Sequence, residues 1–280
     1  MLAVKIFSTD TEAPQLALLS DLERMAPQNW GLELALYGAR DFTEAVCAAV
    51  QALPVSRKIL HAAHSSVGLR ETSMEKPTAL AQLTREGRWC QMTGVGASVV
   101  HATTNDRLGL AGTLDPRLAA RAWARAIDAF NRFGLRPHLE NTGEPLTWFE
   151  AFFDEWDRMG LAKQAGFCLD IGHARVWNYG TLDAWSAFTR QVAGRGFALH
   201  FHVHANHGVT DEHLALHLAH TEGLLEPSSD WAPGGVIAWL AAELQAHPAA
   251  LFTLENSSAQ AAEAFCFTRF ALESGDAGNA

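Results

Sequence analysis

A single (β/α)₈ barrel is the fold class this sequence predicts, and three observations carry that expectation. Short apolar, β-rich runs recur along the whole chain. Each is followed by a longer amphipathic stretch. There are eight such units within 280 residues, and a closed α/β barrel needs about 250 residues. Strands that alternate with helices form a parallel sheet, and eight of them close it.

Taken in order, the strands are expected at Leu2–Ser8, Leu32–Tyr37, Lys58–Ala63, Ser98–Ala102, Arg136–Asn141, Gly166–Ile171, Ala198–His204 and Leu251–Asn256. Start signals mark several of the helices between them. Asp115-Pro116 precedes one through Ala120 and Ala129, with proline in the first turn, where its missing N–H does no harm. Thr142-Gly143-Glu144-Pro145 precedes another holding Trp148 and Phe152; Thr181 precedes a third, and Pro233 is expected to begin a fourth with Ile237 and Leu240. An open doubly wound sheet is the rival, but Ser8-Thr9-Asp10 is not the glycine-rich phosphate loop such a sheet carries after its first strand. No linker divides the chain, so residues 1–274 are read as one domain with a flexible tail at 275–280. The long interval His207–Trp231, between the seventh and eighth strands, is expected to carry function and partly close the site.

Composition narrows the function. The hydrophobic share of 48% suits a buried core, and a formal net charge of −10 argues against a nucleic-acid backbone as main partner. No stretch of 18 apolar residues exists, so no membrane span is expected. The start, Met1 to Phe7, reads as a strand rather than a signal peptide. Four separated cysteines, Cys47, Cys90, Cys168 and Cys266, read as reduced, mostly buried thiols of a cytoplasmic protein.

The strand ends are chemically unusual. From the third strand onward they carry His61, His101, Glu140, Asp170, His202 and Glu255. In Phe167-Cys168-Leu169-Asp170-Ile171 the large apolar residues share the outward parity, and Asp170 points in; the alternation in Leu199–His204 and Phe252–Glu255 places His200, His202, His204 and Glu255 inward likewise. Unpaired ions buried together cost several kcal/mol each, whereas a divalent cation turns them into ligands. His173, Asp211 and His213 extend the set. Mixed His/Asp/Glu ligation suits zinc, manganese or iron better than magnesium.

With Ile59-Leu60-His61-Ala62-Ala63, Val99-Val100-His101, Leu139-Glu140-Asn141-Thr142, Leu169-Asp170-Ile171-Gly172-His173-Ala174, Phe201-His202-Val203-His204-Ala205-Asn206, Asp211-Glu212-His213 and Thr253-Leu254-Glu255 in this order, the sequence resembles the xylose isomerase-like barrels, in particular their endonuclease IV-like and sugar phosphate isomerase/epimerase-like members. The resemblance implies three divalent ions. His61, His101 and Glu140 would hold one; Glu140, Asp170, His202 and Glu255 a second; His173, Asp211 and His213 the third. The family's short Gly-Glu-Gly stretch after the Asp-x-His is only partly matched, by Leu216-His217-Leu218-Ala219-His220-Thr221-Glu222-Gly223.

Other polar residues receive plainer readings. His138 and His200 are expected as hydrogen-bonded core residues and His64 as a loop residue; His207, His217 and His220 are expected to be solvated in the long loop. His204 and Asn206 are expected to orient His202 or touch substrate. Arg40, Arg70, Arg107 and Arg175 follow strand ends and would hold an anionic substrate. Lys5 and Glu33 share inward parity and are expected to pair inside the barrel. Two mechanisms fit. One is metal-assisted hydrolysis of a phosphoester at a di- or trinuclear site. The other is sugar isomerisation or epimerisation with one ion and Glu140 and Glu255 as acid and base. A DNA-repair endonuclease and a catalytically dead binding module are the weaker readings. The expected substrate is small, anionic or sugar-like, rather than a DNA duplex.

Overall fold

The computed structural model describes residues 1–37, 40–62, 77–101, 115–176, 180–228 and 230–274. Eight parallel strands close into a barrel in chain order, β1-β2-β3-β4-β5-β6-β7-β8, with β1 paired to β8. They are β1 (Leu2–Phe7), β2 (Gly31–Ala35), β3 (Lys58–His61), β4 (Ala97–His101), β5 (Arg136–Glu140), β6 (Gly166–Asp170), β7 (Ala198–Val203) and β8 (Leu251–Leu254). Helices cover them: α1 (Glu12–Met25), α2 (Glu44–Ala52), α3 (Pro77–Thr93), α4 (Pro116–Asn131), α5 (Leu146–Arg158), α6 (Ile171–Val176), α7 (Leu182–Gly194), α8 (Leu216–Thr221), α9 (Val236–Ala246) and α10 (Ala261–Ser274).

Where their ends are described, the expected strands run one or two residues too far, because the β-rich runs continue past the ladder. Ala62 N still donates to Val99 O, and Glu255 N to Val203 O, yet both residues already lie in loops. The expected ends at Ala63 and Ala102 and the tail 275–280 lie outside the described residues. The caps behave as their chemistry dictates: Asp115 accepts from Arg117 N and Leu118 N, and Thr181 from Ala184 N. Pro233 does not begin its helix. Gly235, with φ +82°, is the N-cap, and Val236 is the first helical residue.

Outward-facing residues of the strands pack beneath the helices. Phe153 of α5 is the densest example, edge-on to Trp156, Phe167, Phe188 and Phe197 at centroid distances of 5.1–5.8 Å. The interior begins with a small apolar layer of Ala3, Ile59, Val99, Cys168 and Leu251. Above it the interior turns polar. The register sets Lys5 beside Glu33, His101 beside Glu140 and Asp170 beside His202, so the inward carboxylates gather toward the C-terminal mouth.

Of the four cysteines, Cys90 and Cys168 are buried, Cys47 is half-buried and Cys266 is exposed on α10. None of the helices is long and apolar enough to cross a membrane, among the described residues.

Candidate metal centre

Glu140, the last residue of β5, stands at the centre of the mouth. Its Oε2 lies 3.4 Å from His61 Nε2 and 3.2 Å from His101 Nε2. Its Oε1 lies 3.1 Å from His202 Nδ1 and 3.4 Å from His173 Nδ1. His202 Nδ1 is also 3.0 Å from Glu255 Oε2 and 3.5 Å from Asp170 Oδ2. Beside this group, Asp211 Oδ2 lies 3.2 Å from His173 Nε2 and 2.9 Å from His213 Nε2. The six strand-end positions, the two of the Asp-x-His and His173 therefore converge on one space.

Local geometry places them. Asn141 follows Glu140 and clamps the next strand end: its Nδ2 donates to Asp170 O (2.8 Å), and its Oδ1 accepts from Asp170 N (2.6 Å). Sequence reasoning did not assign this residue, although it stands inside the Leu-Glu-Asn-Thr run. Asp170 Oδ1 accepts from His173 N at 2.7 Å, so the acid starts α6 and turns His173 toward the mouth. The His173 ring then places Nδ1 2.9 Å from Asn141 O, which leaves Nε2 facing Asp211.

Gly172 is required for close approach, because a Cβ there would lie 1.9 Å from the His204 ring. Paired bonds between Ala205 and Leu214 close the loop that carries Asp211 and His213. His213 takes φ +49°, a left-handed conformation uncommon outside glycine, which the bridge beside it holds in place.

The electrostatics are those of an over-acidic cage. Burial pushes the Glu140 carboxyl upward, but His101 and His202 outweigh it and hold it well below the usual range. Burial likewise opposes the ionised form of Glu255, and His202, Lys5 and His213 reverse the balance. The imidazoles answer in kind. Burial lowers His173, yet Asp170, Asp211 and Glu140 lift it well above its ordinary value; His213 is lifted to about 9, against burial, by Glu255 and Asp211. Without an ion, protons on these rings supply the missing positive charge, and a metal would displace them.

The residues fit divalent ions. Glu140 Oε2 and Glu255 Oε2 are buried and accept no well-angled hydrogen bond, although imidazole nitrogens face them at 3.0–3.4 Å. Oxygen and nitrogen lone pairs that point at a common space, rather than at each other's protons, are what a shared cation requires. Ligand atoms of His61, His101 and Glu140 lie within 4.8 Å of one another, as do those of His173, Asp211 and His213. Such spacing can close on ions bonded at roughly 2.0–2.2 Å.

A cavity of about 730 Å³ opens over the site, with Phe7, Tyr37, Val209 and Thr210 on its walls. Phe7 and Tyr37 stack at 5.6 Å and make an apolar flank, a pairing that strand patterning left unassigned because both residues lie at or past a strand end. A second cavity, of about 490 Å³, lies at the opposite barrel mouth around His138 and His200. Among the described residues, no carboxylate lines it.

The remaining expectations divide. Lys5 does pair with Glu33 at 3.2 Å, and its ammonium also contacts Glu255 directly. His204 engages Asp170 at 3.0 and 3.2 Å, not His202, and stacks on His213 at 4.2 Å. Asn206 donates to Gly172 O and accepts from Gly208 N, so it shapes the loop. Neither His204 nor Asn206 lines the large cavity, and neither does Arg40, which is exposed, or Arg175, which packs under Gly208. Arg70, Arg107 and His64 lie outside the described residues. The only lysine or arginine lining the cavity, among the described residues, is Lys5.

His207 is exposed, as expected, and bridges Glu212 and Glu222 at 2.8 and 2.9 Å. His217 and His220 are half-buried on α8 rather than solvated. His217 faces Glu263, and His220 packs on Phe267 of α10. The long interval thus divides: Val209, Thr210, Asp211 and His213 wall the cavity, and α8 packs outside, against α10.

The sequence model of the xylose isomerase-like TIM barrel matches residues 31–234. None of the curated protein sequences matches the chain significantly. Among solved structures, the chain is similar to the TTHB071 protein from Thermus thermophilus, soaked with zinc chloride, at 18% identity and TM-score 0.62, covering 98% of both chains. It is similar to endonuclease IV from the same organism at 17% identity and TM-score 0.59, covering 98% of this chain and 99% of that one. It is also similar to a 3-keto-D-glucoside 4-epimerase from E. coli at 14% identity and TM-score 0.58, covering 96% and 98%. At these identities the likeness shows the fold.

Proposed function

The chain belongs to the xylose isomerase-like TIM barrels, and on that premise we propose that it is a metal-dependent hydrolase of a small, oxygen-rich ester, sugar-like or phosphorylated. The observation that carries this reading is the third group. His173, Asp211 and His213 bring three ligand atoms within 4.8 Å of one another beside the Glu140 cluster. A one-ion isomerase has no use for them. Bound there, two or three zinc, manganese or iron ions would activate a water and clamp the attacking and leaving oxygens of the ester.

The protein's own residues do the rest. Glu140 offers one oxygen to each side of the site, so it would be shared between neighbouring ions. Asp211 and His213 tie the wall of the cavity to the centre, so substrate enclosure and ion binding are coupled. Phe7 and Tyr37 supply a flat apolar face for the carbon side of a sugar-like ring. The cavity, with one lining lysine that is already paired to Glu33 and Glu255, lacks, among the described residues, the basic track that a duplex backbone needs.

The isomerase reading keeps one observation in its favour: Glu140 and Glu255 both face His202 Nδ1, at 3.1 and 3.0 Å, as an acid–base pair across one ion would. Against it stands Lys5, whose ammonium on Glu255 stabilises the ionised carboxylate and makes it a poor proton donor.

Metal content and activity decide between them. The hydrolase is expected to hold two to three ions per chain and to cleave small sugar phosphates. Asp211→Ala should remove one ion and cut turnover about a hundredfold or more. One ion per chain, with epimerisation that survives Asp211→Ala, would establish the isomerase. Efficient cleavage of an abasic-site duplex would overturn the small-substrate reading.

A further inference from the structure

Glu33 of β2 is fully buried at the floor of the site and lies outside the nine ligand positions. Its Oε2 is 3.0 Å from His202 Nε2 and 2.8 Å from His200 Nε2, and Thr253 Oγ1 also meets His200 Nε2 at 3.1 Å. Its Oε1 is 3.2 Å from Lys5 Nζ. The other His202 nitrogen, Nδ1, faces Glu140, Asp170 and Glu255.

A neutral imidazole carries one proton, and only the nitrogen without it has a lone pair for a metal. An ionised carboxylate can only accept. With Glu33 against Nε2, the proton belongs on Nε2 and the lone pair on Nδ1, toward the cluster. The register explains why Glu33 can reach: it sits beside Lys5 on the neighbouring strand, one layer below the mouth. Lys5 contacts both Glu33 and Glu255, so one ammonium balances the charge of the positioning acid and anchors a neighbouring acid by Oε1, leaving Glu255 Oε2 toward His202.

We infer that Glu33 is the positioning residue of the centre: its carboxylate fixes the Nε2–H tautomer of His202 and commits Nδ1 to an ion. This rests on the metal-centre reading above. Glu33 also lies within 4.8 Å of ligand atoms of His61, His202 and Glu255, but its Oε2 is engaged by both histidines and its Oε1 by Lys5, so it stands behind His202 rather than on the ion. Carboxylate–histidine–metal relays of this kind shift metal affinity about ten- to a hundredfold when the carboxylate is removed.

The test uses the zinc-loaded protein labelled with ¹⁵N-histidine. Long-range ¹H–¹⁵N correlations are expected to show His202 protonated on Nε2 and bound through Nδ1. Glu33→Met, which keeps bulk and removes the acceptor, should lower zinc affinity about ten- to a hundredfold in chelator competition. Glu33→Gln, whose amide oxygen can still accept, should keep the tautomer and lose about three- to tenfold. Thermal unfolding of the zinc-free variants separates folding from binding. Should Glu33→Met not fold, a threefold or greater loss in Glu33→Gln with the tautomer kept supports the inference. A loss smaller than threefold in either folded variant overturns it, as does a wild-type His202 protonated on Nδ1. A wild-type chain that takes up no zinc counts against the metal reading. In that case the His202 tautomer at alkaline pH decides this inference: Nε2–H upholds it and Nδ1–H overturns it.

Discussion

His200 and His202 point into the same barrel from the same strand, two residues apart, and their environments drive them in opposite directions. Burial lowers His200 below its ordinary value even though Glu33 is 2.8 Å away. Burial opposes protonation of His202 as well, but Cys168, Glu255, Glu33 and Glu140 raise it well above. Beside His200, at the lower mouth, His138 falls to about 3 through burial and the nearby His200 and Arg136. Inward parity, which both layers share, makes a histidine buried. The number of acids at its height in the barrel makes it a candidate ligand.

The sharpest way to break this contrast is to remove the acid at the centre of the upper layer. Glu140→Gln should abolish at least one bound ion and lower turnover at least ten-thousandfold, about 5–6 kcal/mol of transition-state stabilisation. His138→Leu, in the lower layer, should leave zinc content unchanged. Comparable zinc loss in both variants, read by elemental analysis, would erase the distinction.

Acid stability tests the lower layer next. A histidine near 6.5 when unfolded and about 3 when folded binds more protons in the unfolded chain throughout that window. His138 is therefore expected to make stability fall as pH drops from about 6.5 toward 3. The loss should total roughly 4 kcal/mol, at about 1.4 kcal/mol per pH unit over most of the window. Urea unfolding of His138→Leu across that range should show the slope flattened. An unchanged slope would mean that His138 is not held neutral.

The smallest effect belongs to the rim. His213 has its folded value raised to about 9, so its contribution in the ion-free protein is complete below about 6.5 and is lost as pH rises through 9. Its partial exposure limits this to about 1 kcal/mol. His213→Gln should remove that alkaline slope in chelated protein, and zinc-loaded protein should lack it from the start, since a ligand ring carries no such proton. An alkaline slope that zinc leaves untouched would place the effect elsewhere.

Much of this was legible in the residues. Period-two alternation marks Phe167, Leu169 and Ile171 as outward and Asp170 as inward, because a pleated strand has only two faces. Eight such runs separated by helices leave few architectures besides a closed barrel. The ends of the runs were less certain, since the β-rich runs continue through Ala62 and Asn256, past the last residues of β3 and β8. The polar strand ends were visible for a simple reason: an acid closing an apolar run has no packing role to play.

What only the tertiary structure decided are relations between strands distant in sequence. Patterning suggested that Lys5 and Glu33 would pair, but not that Lys5 also reaches Glu255, 250 residues away, across the β1–β8 closure. It placed His204 inward without showing that its ring would go to Asp170, a choice made by the absence of a side chain at Gly172. The same holds for the arginines past the strand ends: Arg175 turns beneath Gly208, not into the cavity. Local sequence fixes which face a side chain takes, because that depends on backbone period alone. Which partner it meets depends on strand register, barrel closure and the space that neighbouring side chains leave, and these exist only once the chain has folded.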